Sequence, residues 1–537
     1  MTRMSLRLAA GALAASLTLA ACGSSDTASD DTTSTTGTGG ALSVAVTDPG
    51  QLIPGRQTVA YDFAMAVWAP LTWVDDASNL TYIQAESVES DDATTWTITL
   101  KDGWTFQDGT PVTAQSYVDA WNTVAYGPNA FENSGQLAHV VGYGDLNPAE
   151  GEPTTTEMSG LTVVDDLTFT VQLDGADSQF PMQLSQAQTA MYPMPESAYD
   201  DLDAYNTHPV GNGAFELTND YVENEPLVLD AYADYQGEAP TVSQITFVPY
   251  TDTATAYTDV LAGNIDVSDL PADKMAQAEA DFGDHVYSFE AAGISYLGLP
   301  LSDPRYADVR VRQAISMAID RDTINDVIYG GLYTPATAFT PAIEPGTPEG
   351  ICGELCEYDP EGAKALLDEA GGFAGSMEIY YPGGVGLDDL YTAIANNLRQ
   401  NLGVDAVATP STDWAEFYQT RLDGDAPGPF FSRWGALYPS QQNTLRAFYV
   451  ENGGCANCIP WYDPEVASAI SAADAQVDGT EAADAYGAVQ ELILAEFAAP
   501  PLFFETYNFV TSDRVAELTT SAVGNPDYAH TVLAEDA

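Results

Sequence analysis

Apolar and polar residues alternate strictly in two short stretches of the first half of the chain. Residues 95–100, TWTITL, place Trp96, Ile98 and Leu100 on one face, and residues 167–173, LTFTVQL, do the same with Leu167, Phe169, Val171 and Leu173. A period of two marks half-buried strands. Between them Val118, Trp121 and Ala125 recur at helical spacing, which predicts a helix over 114–126. Residues 79–185 therefore read as a small α+β unit. Beyond about residue 300 the period changes. A helical stripe over 308–329 carries Val311, Ile315, Ala318, Ile319, Ile324, Val327 and Ile328 and stops at Gly330-Gly331. Asp359-Pro360-Glu361 and Asp463-Pro464-Glu465 each place a capping Asp before a Pro suited to the first helical turn. Strands at 377–381, 404–408 and 429–432 alternate with helices at 388–402 and 413–422, and helices 463–477 and 480–497 follow. Such alternation predicts a mostly parallel sheet covered by helices.

One apolar run has a different meaning. Residues 8–21, LAAGALAASLTLAA, follow Arg3 and Arg7 and are too few for a typical membrane-spanning helix, so 1–21 reads as a signal peptide. It ends in Leu19-Ala20-Ala21-Cys22-Gly23, which resembles the bacterial lipobox and makes Cys22 the expected site of cleavage and acylation. Residues 22–40 are a Ser/Thr/Gly/Asp tether without the apolar content to fold. No later stretch is long and apolar enough to span a bilayer. Charge narrows the function classes further. The chain carries 79 Asp+Glu against 15 Lys+Arg, a formal net charge of −64 over 537 residues. Binding to nucleic-acid phosphates needs clustered Lys and Arg, so nucleic acid is excluded as a partner, and adsorption to anionic lipid is disfavoured. A soluble, exported, self-repelling monomer held at the membrane only by its lipid fits this balance.

The four cysteines after Cys22 form C-x3-C (Cys352, Cys356) and C-x2-C (Cys455, Cys458). In an exported protein the default is disulfide, with three connectivities open. Local pairing within each motif is the expectation, and a four-thiolate zinc site is the alternative. The 98 residues between the pairs and the scattered His139, His208, His285 and His530 disfavour zinc, so no metal or cofactor is expected.

Four blocks in series resemble bacterial solute-binding protein family 5, the receptors of oligopeptide, dipeptide and nickel ABC importers. They are WTITLKDGWTFQDGTPVTAQSYVDAW (96–121), VGNGAFEL (210–217) with the segment 229–267 ending GNIDV, DVRVRQAISMAIDRDTINDVIYGG (308–331) and YDPEGAKALLDEAGG (358–372). The resemblance implies an α/β, two-lobed periplasmic-binding-protein-like fold with an extra α+β subdomain and an interlobe ligand cleft. The first lobe would hold 41–295 and 498–537, with subdomain 79–185, and the second 296–497. It also implies a receptor on the outer face of the cytoplasmic membrane that delivers solute to an ABC permease and its ATPase subunits. The blocks themselves carry fold: Asp108-Gly109-Thr110-Pro111 is a turn, and Arg312 and Arg321 are expected to cap or pair rather than touch ligand.

Candidate ligand residues cluster in 412–440. Trp414, Phe417, Tyr418 and Arg421 share one helical face. The resemblance places residues at the positions of Trp414, Arg421 and Trp434 near bound peptide, and Tyr438 follows in the same segment. Tyr61, Phe63, Phe131, Phe503 and Tyr507 are further aromatic candidates. Peptide-binding relatives carry an Asp, which pairs with the peptide's free amine, where this chain has Leu437. Asp62 or Glu505 could supply the missing carboxylate; otherwise the ligand lacks a free α-amine, as blocked peptides, cyclic peptides and oligosaccharides do. A metal chelate is a further non-peptide alternative. An enzyme is the rival class. The sequence has no G-x-S-x-G, H-E-x-x-H or G-x-x-x-x-G-K-[ST], and acid pairs such as Asp91-Asp92 are expected by chance among 79 acids. A secreted hydrolase is thus the weaker alternative and a cell-surface adhesin weaker still.

Overall fold

The computed structural model describes residues 39–534 except 76–77, 186, 190, 452 and 522. The expected signal peptide, Cys22 and the expected tether up to residue 38 lie outside the described residues.

The framework is an 11-stranded mixed sheet. Its order is Asp405–Pro410, Ser376–Tyr381, Phe430–Gly435, Val286–Gly298, Pro501–Thr511, Val267–Asp269, Ala41–Val46, Gln244–Pro249, Leu227–Ala231 and Phe215–Leu217, with Thr334–Pro335 added beside Pro501–Thr511. The strands predicted at 377–381, 404–408 and 429–432 are mutually parallel as expected, but the sheet they belong to is mixed. Ala41–Val46 is also parallel to Gln244–Pro249, but the long central strand Val286–Gly298 runs antiparallel to both of its neighbours, Pro501–Thr511 and Phe430–Gly435. Those long strands, VYSFEAAGISYLG and PLFFETYNFVT, carry the chain across the middle of the sheet. Both are buried on both faces over much of their length, so their apolar residues form runs rather than an alternation. Their pairing shifts register between Glu290 and Ile294, so that Ala291, Ala292 and Gly293 bulge opposite Glu505.

The predicted α+β unit is present. Ala85–Glu89, Thr95–Leu100, Thr168–Gln172 and Leu161–Asp165 form a four-stranded antiparallel sheet. Helix Ala114–Ala125 packs on it through Tyr117 and Trp121, whose rings lie 5.7 Å from Phe169. The single stripe predicted over 308–329 is instead two helices, Val309–Met317 and Arg321–Ile328. The break comes at Asp320, whose carboxylate accepts from the Thr323 amide and starts the second helix. Strand 429–432 is longer than expected and runs Phe430–Gly435.

One hydrophobic cluster joins Leu42 through Phe247 to the C-terminal Val515 and Tyr528, and two others fill the second half. Tyr257, Val260, Ile265 and Met275 belong to a second-half cluster with Leu297 and Phe430. Arg312 and Arg321 are buried structural clamps. Arg312 donates to the carbonyls of Phe497 and Tyr306, at the end of helix Gly479–Glu496. Arg321 donates to the carbonyls of Pro501 and Ser316. Cationic donors on helix-terminal carbonyls satisfy groups that would otherwise be buried unpaired. Together they fix the end of helix Gly479–Glu496 and the start of strand Pro501–Thr511. Cys352 is bonded to Cys356 and Cys455 to Cys458.

Candidate ligand-binding site

Strand Phe430–Gly435 is the centre of the candidate site. One edge pairs with Val286–Gly298 over six consecutive residues, Gly293↔Gly435 to Gly298↔Phe430. The other edge meets Ser376–Tyr381 at a single bridge, Tyr380↔Phe430. Among the described residues no strand pairs with this edge beyond Phe430, although Ser432 is buried and Cys455 Sγ lies 3.6 Å from the Arg433 carbonyl. Side chains alternate across this strand. Phe431, Arg433 and Gly435 face one way; Phe430, Ser432 and Trp434 face the other.

Helix Trp414–Leu422 flanks the first face. Asp413 caps it by accepting from the Glu416 amide at 2.9 Å. Trp414 packs against Phe431 with ring centroids 5.8 Å apart. Trp414 and Tyr418 nevertheless keep 47% and 44% of their surface exposed, in keeping with rings that still have a face to offer. Arg421 lies beneath, over the ring of Tyr418 at 5.1 Å and that of Phe417 at 5.8 Å. It is buried and its Nε has no hydrogen-bond partner; burial lowers its pKa. A buried guanidinium stacked on rings but facing no carboxylate is costly unless an anion completes it.

Trp434 lies on the opposite face. Its Nε1 donates to Asn443 Oδ1 at 2.8 Å, and its ring covers Gly454, where a Cβ would come within 2.8 Å of it. The candidate rings therefore line both sides of one strand rather than converging on one face. Leu437 donates its amide to the same Asn443 oxygen. Tyr438 is buried, its hydroxyl donating to Gln442 at 2.7 Å within a polar network that reaches Asp177. Phe503 is fully buried against Tyr329 and Tyr333, so it supports the sheet from below. Phe63 and Phe131 are likewise core residues. Tyr61 is partly buried at the start of helix Asp62–Val67.

The acids named from sequence have different fates. Glu505 accepts from Arg433 Nε at 2.6 Å and is nearly buried. Asp62 is not so committed. Burial, and then the charge of Asp269, raise its pKa to about 7. Burial raises Asp269 to about 6, although more than a third of its surface stays open to water. Those two facts coexist where a side chain lines a deep cleft, enclosed by protein yet wetted. Arg433 shows the same combination, with 43% of its side chain exposed. Sequence reasoning passed over Arg433 and Asp269, since neither lies in a helical stripe or a motif. A cavity of about 1510 Å³ opens elsewhere, between Asp91, Thr95 and Gln179 on one side and Ile343, Asp478 and Asp484 on the other. Of the residues named from sequence only the acid pair Asp91-Asp92 lines it, none of the ligand candidates does, and among the described residues its walls lack a buried unpaired group of the Arg421 kind. Among the described residues no group of three or more His, Cys, Asp or Glu is placed to hold a metal, and no helix is long and apolar enough to cross a membrane.

Residues 79–454 match the pattern of the bacterial extracellular solute-binding proteins, family 5 Middle. The chain belongs to that family. Among relatives of family 5, the periplasmic murein peptide-binding protein of Escherichia coli is 30% identical over 348 residues, 63% of this chain and 64% of that protein. The chain thus spans just under two thirds of that relative. The probable deoxycholate-binding periplasmic protein of Escherichia coli is 27% identical over 479 residues, 85% of this chain and 86% of that one. A murein tripeptide-binding protein in an unliganded open form superposes with a TM-score of 0.79 at 22% identity, covering 93% of this chain and 98% of that one. The fold is therefore the two-lobed α/β fold of periplasmic binding proteins.

Proposed function

We propose that this family 5 protein is the substrate-binding component of an ABC importer, taking a peptide into the cleft between its lobes. The open edge of strand Phe430–Gly435 carries this reading. An extended peptide laid along it would add a strand beyond Phe430 and reach side chains on both faces. Trp414 and Tyr418 would meet alternate ligand side chains from one face and Trp434 from the other. Aromatic rings supply such contact area at low conformational cost. Arg421 would take a polar or anionic group. The lobes are assigned as 41–295 with 498–537, and 296–497, hinged at the two long central strands. Acylation at Cys22 would hold the monomer on the outer face of the cytoplasmic membrane, beside its permease and the ATPase subunits.

A non-peptide solute is the second reading, favoured by one observation. Leu437 stands where peptide-binding relatives have an acid, and Glu505 is already held by Arg433. Calorimetric titration of matched free and N-acetylated tetrapeptides separates the readings. The acetylated peptide should bind at least as well as its free twin, and Trp434→Ala should weaken it by about 2 kcal/mol. A tenfold or greater loss on acetylation would contradict this and move ammonium recognition to the Asp62–Asp269 pair. Binding of neither peptide would favour the non-peptide solute.

A further inference from the structure

Gly293 and Gly435 face each other across the antiparallel ladder, on the face that carries Arg433. Glycine inside a strand weakens it and needs a reason. Neither residue has the positive φ that would demand glycine. Neighbouring atoms do not demand it either. A Cβ on Gly435 would meet nothing nearer than the Tyr507 hydroxyl at 3.6 Å, then the two terminal nitrogens of Arg433 at 3.9 and 4.0 Å. A Cβ on Gly293 would meet Glu505 first, at 3.4 Å. The paired glycines thus leave a slot floored by backbone, whose open volume protein atoms do not use.

The walls of this slot are polar and held in place. Arg433 is bonded to Glu505 through Nε at 2.6 Å, and its guanidinium, which also interacts with the Tyr507 hydroxyl, holds its terminal nitrogens near Gly435. Glu505 stands opposite the bulge at 291–293, which aims it at Arg433. The Tyr507 hydroxyl closes the far side. A guanidinium presenting its fork, with a hydroxyl beside it, matches a carboxylate in geometry and charge. In a chain of net charge −64, such a fork is a rare place to hold an anion. Asp269 lies within electrostatic reach of Tyr507. Its charge disfavours a multiply charged anion and suits a single carboxylate on a neutral or cationic body.

We propose that the slot over Gly293 and Gly435 binds a carboxylate of the solute on the terminal nitrogens of Arg433, with Glu505 as a positioning residue. The inference rests on the receptor reading above and adds the group that the site selects. In a peptide that carboxylate is either the C-terminus or an Asp or Glu side chain.

Equilibrium dialysis against three equimolar tetrapeptide libraries, read by mass spectrometry, tests it. The first library has free C-termini and no Asp or Glu. The second is its C-terminal amide. The third is the amide with one Glu per peptide. The first library retained at least tenfold over the second identifies the C-terminus as the bound group, and the third retained over the second identifies the side chain. Gly435→Ala fills the slot while making only an ordinary contact, so it should keep the melting temperature and lose the preference. Arg433→Gln with Glu505→Gln should lose it too, without stranding a buried charge. Equal retention of all three libraries by the wild type, or a preference that survives both variants, overturns the slot and leaves the receptor reading standing. Retention of no library overturns the peptide reading and the slot together.

Discussion

Arg446 sits between two buried carboxylates that tie residues 177–183 to the second half of the chain. Its Nη2 lies 2.6 Å from Asp474 and its Nη1 3.8 Å from Asp177, whose side chains are 2% and 7% exposed. Gln442 bridges the same two acids at 2.7 and 2.9 Å. Arg446→Met would leave two enclosed carboxylates, close to each other, with neutral donors only. Removing one partner of a buried pair costs about 3–5 kcal/mol. Here Gln183 and Tyr486 continue to donate to Asp177 and Asp474 respectively, and water reaches the 31%-exposed Arg446 position. We therefore expect a loss of about 2–3 kcal/mol, read as a lower urea midpoint at unchanged slope near pH 7.5. Burial already holds the Asp474 pKa above its ordinary value, and losing Arg446 would raise it further. A carboxyl whose folded pKa is raised destabilises the fold when ionised, so the deficit should shrink as pH falls toward 5. Adding Asp474→Asn should restore about half of it. A variant as stable as wild type, or a deficit that grows in acid, would refute this account of the network.

Asp62 makes a second pH prediction. Its carboxyl titrates near 3.8 when unfolded and near 7 when folded, so its contribution to stability falls as pH rises through that window. Asp62→Asn should change little at pH 4 and stabilise at pH 8. The shift sets an upper bound of about 4 kcal/mol, or about 1–2 after allowing for water at the cleft; urea titrations at the two pH values check the sign, and a larger gain at pH 4 would refute it. The Cys352–Cys356 bridge closes a very short loop, so replacing both cysteines by Ala should cost about 2 kcal/mol. A loss above 4 kcal/mol would mean that it does more than close that loop. Cys22→Ser should release the protein from the membrane fraction after a carbonate wash; continued retention would contradict the lipid anchor.

Much of the local structure was legible because the signals are local. Asp359 and Asp463 cap their helices as their Asp-Pro-Glu contexts predict, accepting from Gly362 and Glu465 amides at 2.9 and 2.7 Å. The TWTITL strand alternates because only one of its faces is buried. The long central strands gave no such signal, since burial on both faces erases the period. That is why these two strands, and the antiparallel pairing they bring to the sheet, were not predicted. The site was partly legible for a related reason. Trp414, Tyr418 and Arg421 share a helix face, so their spacing shows them together. Arg433 acquires meaning only from Glu505, 72 residues away in sequence, and Gly435 only from Gly293 across the ladder. No window on the sequence joins those residues; the register of the sheet does.

Hydrogen exchange of the full chain, with and without a saturating tetrapeptide library, tests the central claim most directly. An added strand would slow exchange at the amides of Arg433 and Gly435, which alternate with the amides facing Val286–Gly298, with smaller protection at 501–507. Protection confined to 88–97 and 477–486, around the 1510 Å³ cavity, with none at 431–437, would contradict it.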